Sequence, residues 1–142
     1  MMHKARYFIT QTETTRQGIL SITGTAPENV KVVKNVLPSV FAKMEDAPLP
    51  TDGKWINIAC VGNATPHKNF DIVPYVLDEL SKMGITNVRF HITIPKETNV
   101  CGQIEASMKK LGLNEGIINH GRISQAEMAD MYRHCQLCFL PT

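Results

Sequence analysis

From Trp55 onward the hydrophobic period switches repeatedly between strand and helix, and that switching limits the folds open to this chain. Trp55–Val61 is an apolar run of strand length. Asp71–Lys82 places Ile72, Val73, Val76, Leu77, Leu80 and Met83 on one helical face, closed by Gly84. Pro74 fits because it falls in the first turn. Val88–Ile94 is a strand stopped by Pro95. Gly102–Leu111 turns Ile104, Met108 and Leu111 inward and ends at Gly112. A short strand, Ile117–Asn119, runs into His120-Gly121. Ser124 is an N-cap, and Glu127 completes a capping box for the helix Gln125–His134, which buries Met128 and Met131 with Tyr132 beside them. Leu137–Leu140 is a last strand. Strands alternating with helices in this order predict right-handed crossovers and an α/β fold, a parallel sheet with helices on both faces.

Before Trp55 the pattern is less regular. Arg6–Thr10 is a strand candidate, followed by a helix from Glu13 to about Ile22, capped by Thr12 or Thr14 and ended by Gly24. Pro27–Val33 reads as a turn followed by a second short strand, and Leu37–Phe41 as extended chain. Lys43 to Gly53 carries Pro48, Pro50 and acidic residues, the composition of a linker. A domain boundary is therefore expected near residue 50, dividing 1–50 from 51–142. The last strand has no helix after it, so the sheet is expected to be incomplete.

Composition excludes little else. The net charge of +2 over 142 residues is too small to argue for a nucleic-acid partner. The longest apolar runs fall short of the ~20 residues that cross a bilayer. Met1-Met2-His3-Lys4 leads into no signal-peptide core, so a cytoplasmic location is expected, with peripheral membrane contact open to regions outside this chain. Cys135-x-x-Cys138 has zinc-ligand spacing but lacks a second CxxC or a histidine pair. With Cys60 and Cys101 it reads as buried, reduced thiol, and no metal site is expected.

Two loops carry candidate chemistry. Val61-Gly62-Asn63-Ala64-Thr65-Pro66-His67-Lys68-Asn69 follows a buried strand with a glycine bend and a lysine near the next helix. A lysine at a helix N-terminus conflicts with the dipole unless an anion binds there. His120-Gly121-Arg122-Ile123-Ser124 likewise leaves a strand for a capped helix. In open parallel sheets, ligands bind outside the carboxyl ends of the strands, and both loops belong to that edge, as does Pro141-Thr142. His67, His91, His120 and His134 follow no metal spacing, and His91 reads as a packed residue within a strand. No nucleophile sits on an elbow-like turn.

These residues carry a resemblance to the GT-B-fold, group 1 retaining glycosyltransferases. Val61-Gly62 through Pro66-His67-Lys68-Asn69 looks like that family's first-strand loop, in which a P-x-K-N run follows V-G. Asn119-His120-Gly121-Arg122-Ile123-Ser124 looks like its F-x-G-x-V/I segment, and Glu127-Met128-Ala129-Asp130-Met131-Tyr132 like E-L-x-x-L-Y. Cys138-Phe139-Leu140-Pro141-Thr142 looks like the strand that ends in P-S or P-T. Upstream, Tyr7–Glu13 and Val32–Val36 resemble the end of the N-terminal acceptor domain and the interdomain crossing.

The resemblance implies a fragment: the end of the acceptor domain and a linker over 1–50, then the first half of a Rossmann-like nucleotide-sugar-binding domain over 51–142. It implies that Lys68 contacts the donor diphosphate, that Gly62 and Asn63 line the same loop, and that the backbone around Arg122 and Ile123 faces the nucleotide base. Many members have arginine where Asn63 stands, so one of two diphosphate cations is absent. The implied partners are a nucleotide-sugar donor and a saccharide or lipid-linked acceptor. The implied reaction is hexosyl transfer with retention, without a divalent metal or other cofactor, consistent with the lack of an Asp-x-Asp motif. The family's E-x7-E segment would follow Thr142, so the chain alone is expected to be inactive. Two other readings stay open. One is a non-catalytic, flavodoxin-like nucleotide-binding or protein-interaction domain, and the other is a sugar-nucleotide epimerase of the same shape.

Overall fold

The computed structural model describes residues 5–42, 53–113 and 115–141. It divides into two compact units, Met1–Ser39 and Val40–Thr142. The expected boundary near residue 50 and most of the expected linker lie outside the described residues, as does Thr142.

The first unit is one β–α–β crossover. Strand β1 (Phe8–Thr10) pairs in parallel with β2 (Val30–Val32), and helix α1 (Glu13–Thr23) joins them. Thr12 caps α1 by accepting from the Thr15 N–H at 3.1 Å, and Gly24 ends it in the left-handed conformation (φ 63°). Arg16 ties helix to strand, donating from Nε to the Val30 carbonyl at 3.0 Å. Next comes a helical turn, α2 (Ser39–Ala42), where extended chain was expected from Leu37 to Phe41. Pro38 restricts the residue before it to extended backbone and leaves Ser39 free to start a turn.

The second unit is a parallel sheet of strands β3 (Ile56–Cys60), β4 (Val88–Ile92), β5 (Ile117–Asn119) and β6 (Leu137–Cys138). Their order across the sheet is β5-β4-β3-β6. Helix α3 (Val73–Lys82) links β3 to β4, α4 (Asn99–Lys110) links β4 to β5, and α5 (Gln125–Arg133) crosses from β5 to β6 on the other side of β3. The expected α/β class, a parallel Rossmann-like sheet with helices on both faces, is what the structure has.

Alternation along the strands sorts the two faces. Ile58, Cys60, Val88, Phe90 and Ile92 point to one face and pack against Val73 and Leu77 of α3 and Cys101 and Ile104 of α4. Phe90 meets Phe139 edge-to-face, with ring centroids 5.6 Å apart. On the opposite face Ala59 packs against Met131 and Cys135, with Val61, Ile123, Met128 and Tyr132 partly buried around them.

Element ends differ from expectation where side-chain burial and backbone conformation diverge. Helix α3 begins at Val73 rather than Asp71, because residues 70–72 form a separate 3-10 turn entered through Asn69 in the left-handed conformation (φ 44°). Ile72 and Met83 are consequently exposed, not part of the helix's inner face. Helix α4 begins earlier than expected, at Asn99, because Thr98 caps it by accepting from the Cys101 N–H. β4 ends at Ile92, and β6 at Cys138.

The expectation of four buried thiols holds for Cys60, Cys101 and Cys135; Cys138 is exposed on β6. Burial pushes the Cys60 thiol up to about 11, and Cys135 likewise to about 11, with the nearby Cys138 sulfur adding to it. These two thiols are protonated and unreactive at neutral pH. No helix among the described residues is long and apolar enough to cross a membrane.

Candidate functional site

The carboxyl ends of β3, β4 and β5 open into one cleft of about 450 Å³. Its walls are Val61, Gly62, Asn63 and Ala64 after β3, Thr93, Pro95 and Thr98 after β4, Gly121, Arg122 and Ile123 after β5, and Met128 of α5. Gly62, Asn63, Arg122 and Ile123, which are distant in sequence, are thereby brought together. A parallel sheet puts its strand ends on one rim, and the right-handed crossovers return each loop to that rim.

Lys68 does not line the cleft. It lies in a 3-10 turn, Pro66–Lys68, and α3 starts only at Val73. The picture of a lysine at a helix mouth is corrected accordingly: the left-handed Asn69 breaks the chain between the lysine and the helix. The Lys68 stem still runs beside the cleft. Its Cδ lies 3.9 Å from the point where a Cβ on Gly62 would stand. Among the described residues no carboxylate pairs with its ammonium group.

The loop after β3 bends at Gly62, where the absence of a Cβ is what counts. The Gly62 backbone is not left-handed; a Cβ there would meet the Phe70 ring at 3.2 Å. The missing Cβ lets the Phe70 ring pack against the loop without a shift. The Gly62 N–H donates to the Thr93 hydroxyl at 3.4 Å, joining the loops after β3 and β4. Gly121, by contrast, is left-handed (φ 68°), a conformation that favours glycine.

Asn119, which the sequence marked only as the first residue of the segment entering His120-Gly121, ties the walls together. Its Oδ1 accepts from the Ile94 N–H at 3.2 Å and the Gly121 N–H at 3.0 Å, and its Nδ2 donates to the Cys101 sulfur at 3.5 Å. One amide thus links the end of β4, the loop after β5 and the first turn of α4. Ser124 and Glu127 form the expected capping box, with the Ser124 N–H donating to the Glu127 carboxylate at 2.7 Å. That backbone contact holds the Glu127 carboxyl below the usual carboxylate range, with the Ser124 hydroxyl contact adding to it.

The Arg122 guanidinium is exposed and pairs with Glu97, Nη2 to Oε1 at 2.9 Å. Glu97 sits between the cleft residues Pro95 and Thr98, a position that drew no notice in the sequence. Its carboxyl is held below the usual range by its own backbone N–H first and then by Arg122.

Beside the cleft, on the α5 side of the sheet, a second cavity of about 550 Å³ is lined by His91, His120, His134, Glu127 and Asp130 among others. His91 is only half-buried and is not the simple packed histidine expected. Its Nε2 lies 3.0 Å from Asn57 Oδ1 and its Nδ1 2.9 Å from His120 Nε2. Since Asn57 Oδ1 only accepts, His91 donates to it from Nε2 and accepts at Nδ1 from His120. Among the described residues no group of three or more His, Cys, Asp or Glu could hold a metal ion.

No protein-family model and no curated protein matches the chain. Solved structures do. The fold is similar to that of S. aureus TarM, in a point mutant in complex with fondaparinux, alpha-GlcNAc-glycerol and UDP (18% identity, TM-score 0.67, covering 95% of this chain and 25% of TarM). It is similar to Anabaena HepE in complex with UDP and glucose (16% identity, TM-score 0.62, 94% of this chain and 37% of HepE). A glycosyltransferase from Rickettsia africae matches at 17% identity and TM-score 0.68, over 99% of this chain and 39% of that one. The fold is therefore that of GT-B glycosyltransferases, and the chain spans between 25% and 39% of the length of these three structures.

Proposed function

We propose that this chain is the donor-binding part of a glycosyltransferase, and that the cleft at the sheet's carboxyl rim receives the nucleoside of a nucleotide-sugar donor. The observation that carries the reading is the convergence of Gly62, Asn63, Arg122 and Ile123 on one cleft. In this reading the loop after β3, with Gly62 and Asn63, faces the diphosphate, and Lys68 reaches it from beside Gly62. The backbone at Arg122 and Ile123 faces the base.

The donor's leaving group is a nucleoside diphosphate, and its growing negative charge is stabilised by a preorganised cation and backbone N–H groups. Lys68 is assigned the cationic role. In the whole protein the reaction is hexosyl transfer with retention to a saccharide or lipid-linked acceptor, with no metal or other cofactor. Residues 1–50 belong to the end of an acceptor domain and its linker, and 51–142 to the first half of the donor domain. The protein works in the cytoplasm, with membrane contact through regions outside this chain. HepE and TarM were solved with UDP, which supports a nucleotide as ligand.

Calorimetry of the purified chain with UDP and GDP tests this. One of the two nucleotides should bind, and Lys68→Ala should weaken it by tenfold or more, about the effect of losing one charge-assisted contact. Unchanged affinity removes Lys68 from the site. The chain alone should release no UDP or GDP from a nucleotide sugar; turnover would overturn that part.

A further inference from the structure

Arg122 is the one charged side chain lining the cleft among the described residues. Its present partner is another part of the chain's own rim, the Glu97 carboxylate, at 2.9 Å. Both groups are largely exposed, 78% and 66%, so the pair is weak and open to exchange. Glu97 also directly precedes Thr98, the N-cap of the 12-residue helix α4. Glu97 is therefore paired with a guanidinium and placed in the chain one residue before the N-cap of a helix, two elements that favour an anion. A guanidinium accepts carboxylate and phosphate oxygens through the same fork of N–H donors, so the two anions compete for it.

We propose that Arg122 is a phosphate-binding residue of the cleft, held by Glu97 until the phosphates of a nucleotide displace that carboxylate. The proposal rests on the reading of the cleft as a nucleotide site and adds to it a second cation besides Lys68. Asn63, on the opposite wall, carries no charge, so the cleft's own positive charge comes from the β5 side. Glu97 keeps the guanidinium oriented over the opening while the site is empty. It also sets a threshold: a neutral nucleoside gains nothing from Arg122, whereas a di-anionic ligand does.

The test compares UDP with uridine, by calorimetry, on the wild-type chain and on Glu97→Gln, Arg122→Gln and the double variant. Both side chains are exposed, so thermal melts should confirm that every variant folds. Glu97→Gln should tighten UDP roughly two- to fivefold, the range for releasing an exposed ion pair. Arg122→Gln should weaken UDP roughly tenfold. In the Arg122→Gln background, Glu97→Gln should lose most of its effect, and uridine should bind all four proteins within a factor of two. Weaker or unchanged UDP binding in Glu97→Gln overturns the proposal, as does an Arg122→Gln loss that uridine shares. Pyrophosphate, followed through the Arg122 Nε–H NMR signal, separates this proposal from the one it rests on. A signal that stays still while uridine binds sinks the Arg122 role alone. A signal that moves while uridine fails to bind supports an anion site at Arg122 and sinks the nucleotide reading.

Discussion

The two faces of the four-stranded sheet are built from the same strands and are made differently. The α3/α4 face is an apolar layer: Val88, Phe90 and Ile92 are buried at alternate positions of β4. The intervening residues Arg89 and His91 point to the α5 face and are only partly buried. There α5 supplies Met131 and the turn after it Cys135, and a polar chain, Asn57 to His91 to His120, runs from β3 across β4 to the loop after β5 beside them. Burial organises one face and hydrogen bonding much of the other. The cleft opens where both faces end, its floor held by Asn119 from the first and its wall by Ile123 and Met128 from the second.

The largest expected effect breaks the apolar face. Phe90→Ala removes a ring that is 1% exposed and packed against Phe139, and should cost about 3–5 kcal/mol in urea denaturation. His91→Ala, one residue along on the other face, should cost about 1 kcal/mol, since its hydrogen-bond partners can turn to water. Equal losses would erase the distinction between the faces. Next in size is Asn119→Leu. It strands the Ile94 and Gly121 N–H groups and should cost about 2 kcal/mol, whereas Asn119→Asp keeps the accepting oxygen and should cost less. A loss as large in the aspartate variant would argue for the Cys101 contact instead. Ser124→Ala removes the N-cap of α5, the described helix on its face, and should cost about 1 kcal/mol with no change in the apolar layer.

What could be read from the chain itself is what local periodicity encodes. Alternation over Val88–Ile92, the i, i+3, i+4 spacing through Val73–Leu80 and the Ser124/Glu127 box all survive into the structure. The cleft's membership was legible because Gly62, Asn63, Arg122 and Ile123 all follow strands. Features that join elements were not. Asn119 lies in a short apolar strand, and its bonds to Ile94 and Gly121 exist only because β5 lies beside β4. The Arg122–Glu97 pair spans two loops 25 residues apart. Lys68 was displaced from the helix start by one residue's backbone, Asn69, which spacing alone does not reveal. Nor did composition show that Arg89 would stack on the Trp55 ring at 3.7 Å with Lys54 at 5.8 Å, a small basic–aromatic contact.

The smallest expected effect probes the polar face through pH. His91 is held below the ordinary imidazole range, first by burial and then by the positive charge of His120, with Arg89 and His134 adding to it. Glu127 and Asp130 also face this cavity from α5. A depressed pKa means the folded protein binds this proton less readily than the unfolded chain does. The stability His91 contributes is therefore complete above the unfolded value, about 6.5, and is lost as pH falls through the folded value. Thermal melts from pH 8 to pH 5 should show the midpoint falling toward acid, by more in the wild type than in His91→Gln. Carboxylates that also lose their charge toward acid are common to both proteins and cancel in the comparison. Phe90, on the apolar face, offers no such group, so Phe90→Leu should lower the whole profile without changing its slope. If the His91→Gln slope matches the wild type, the chain from Asn57 to His120 does not gate this face by its protonation, and the contrast between the faces reduces to one of packing.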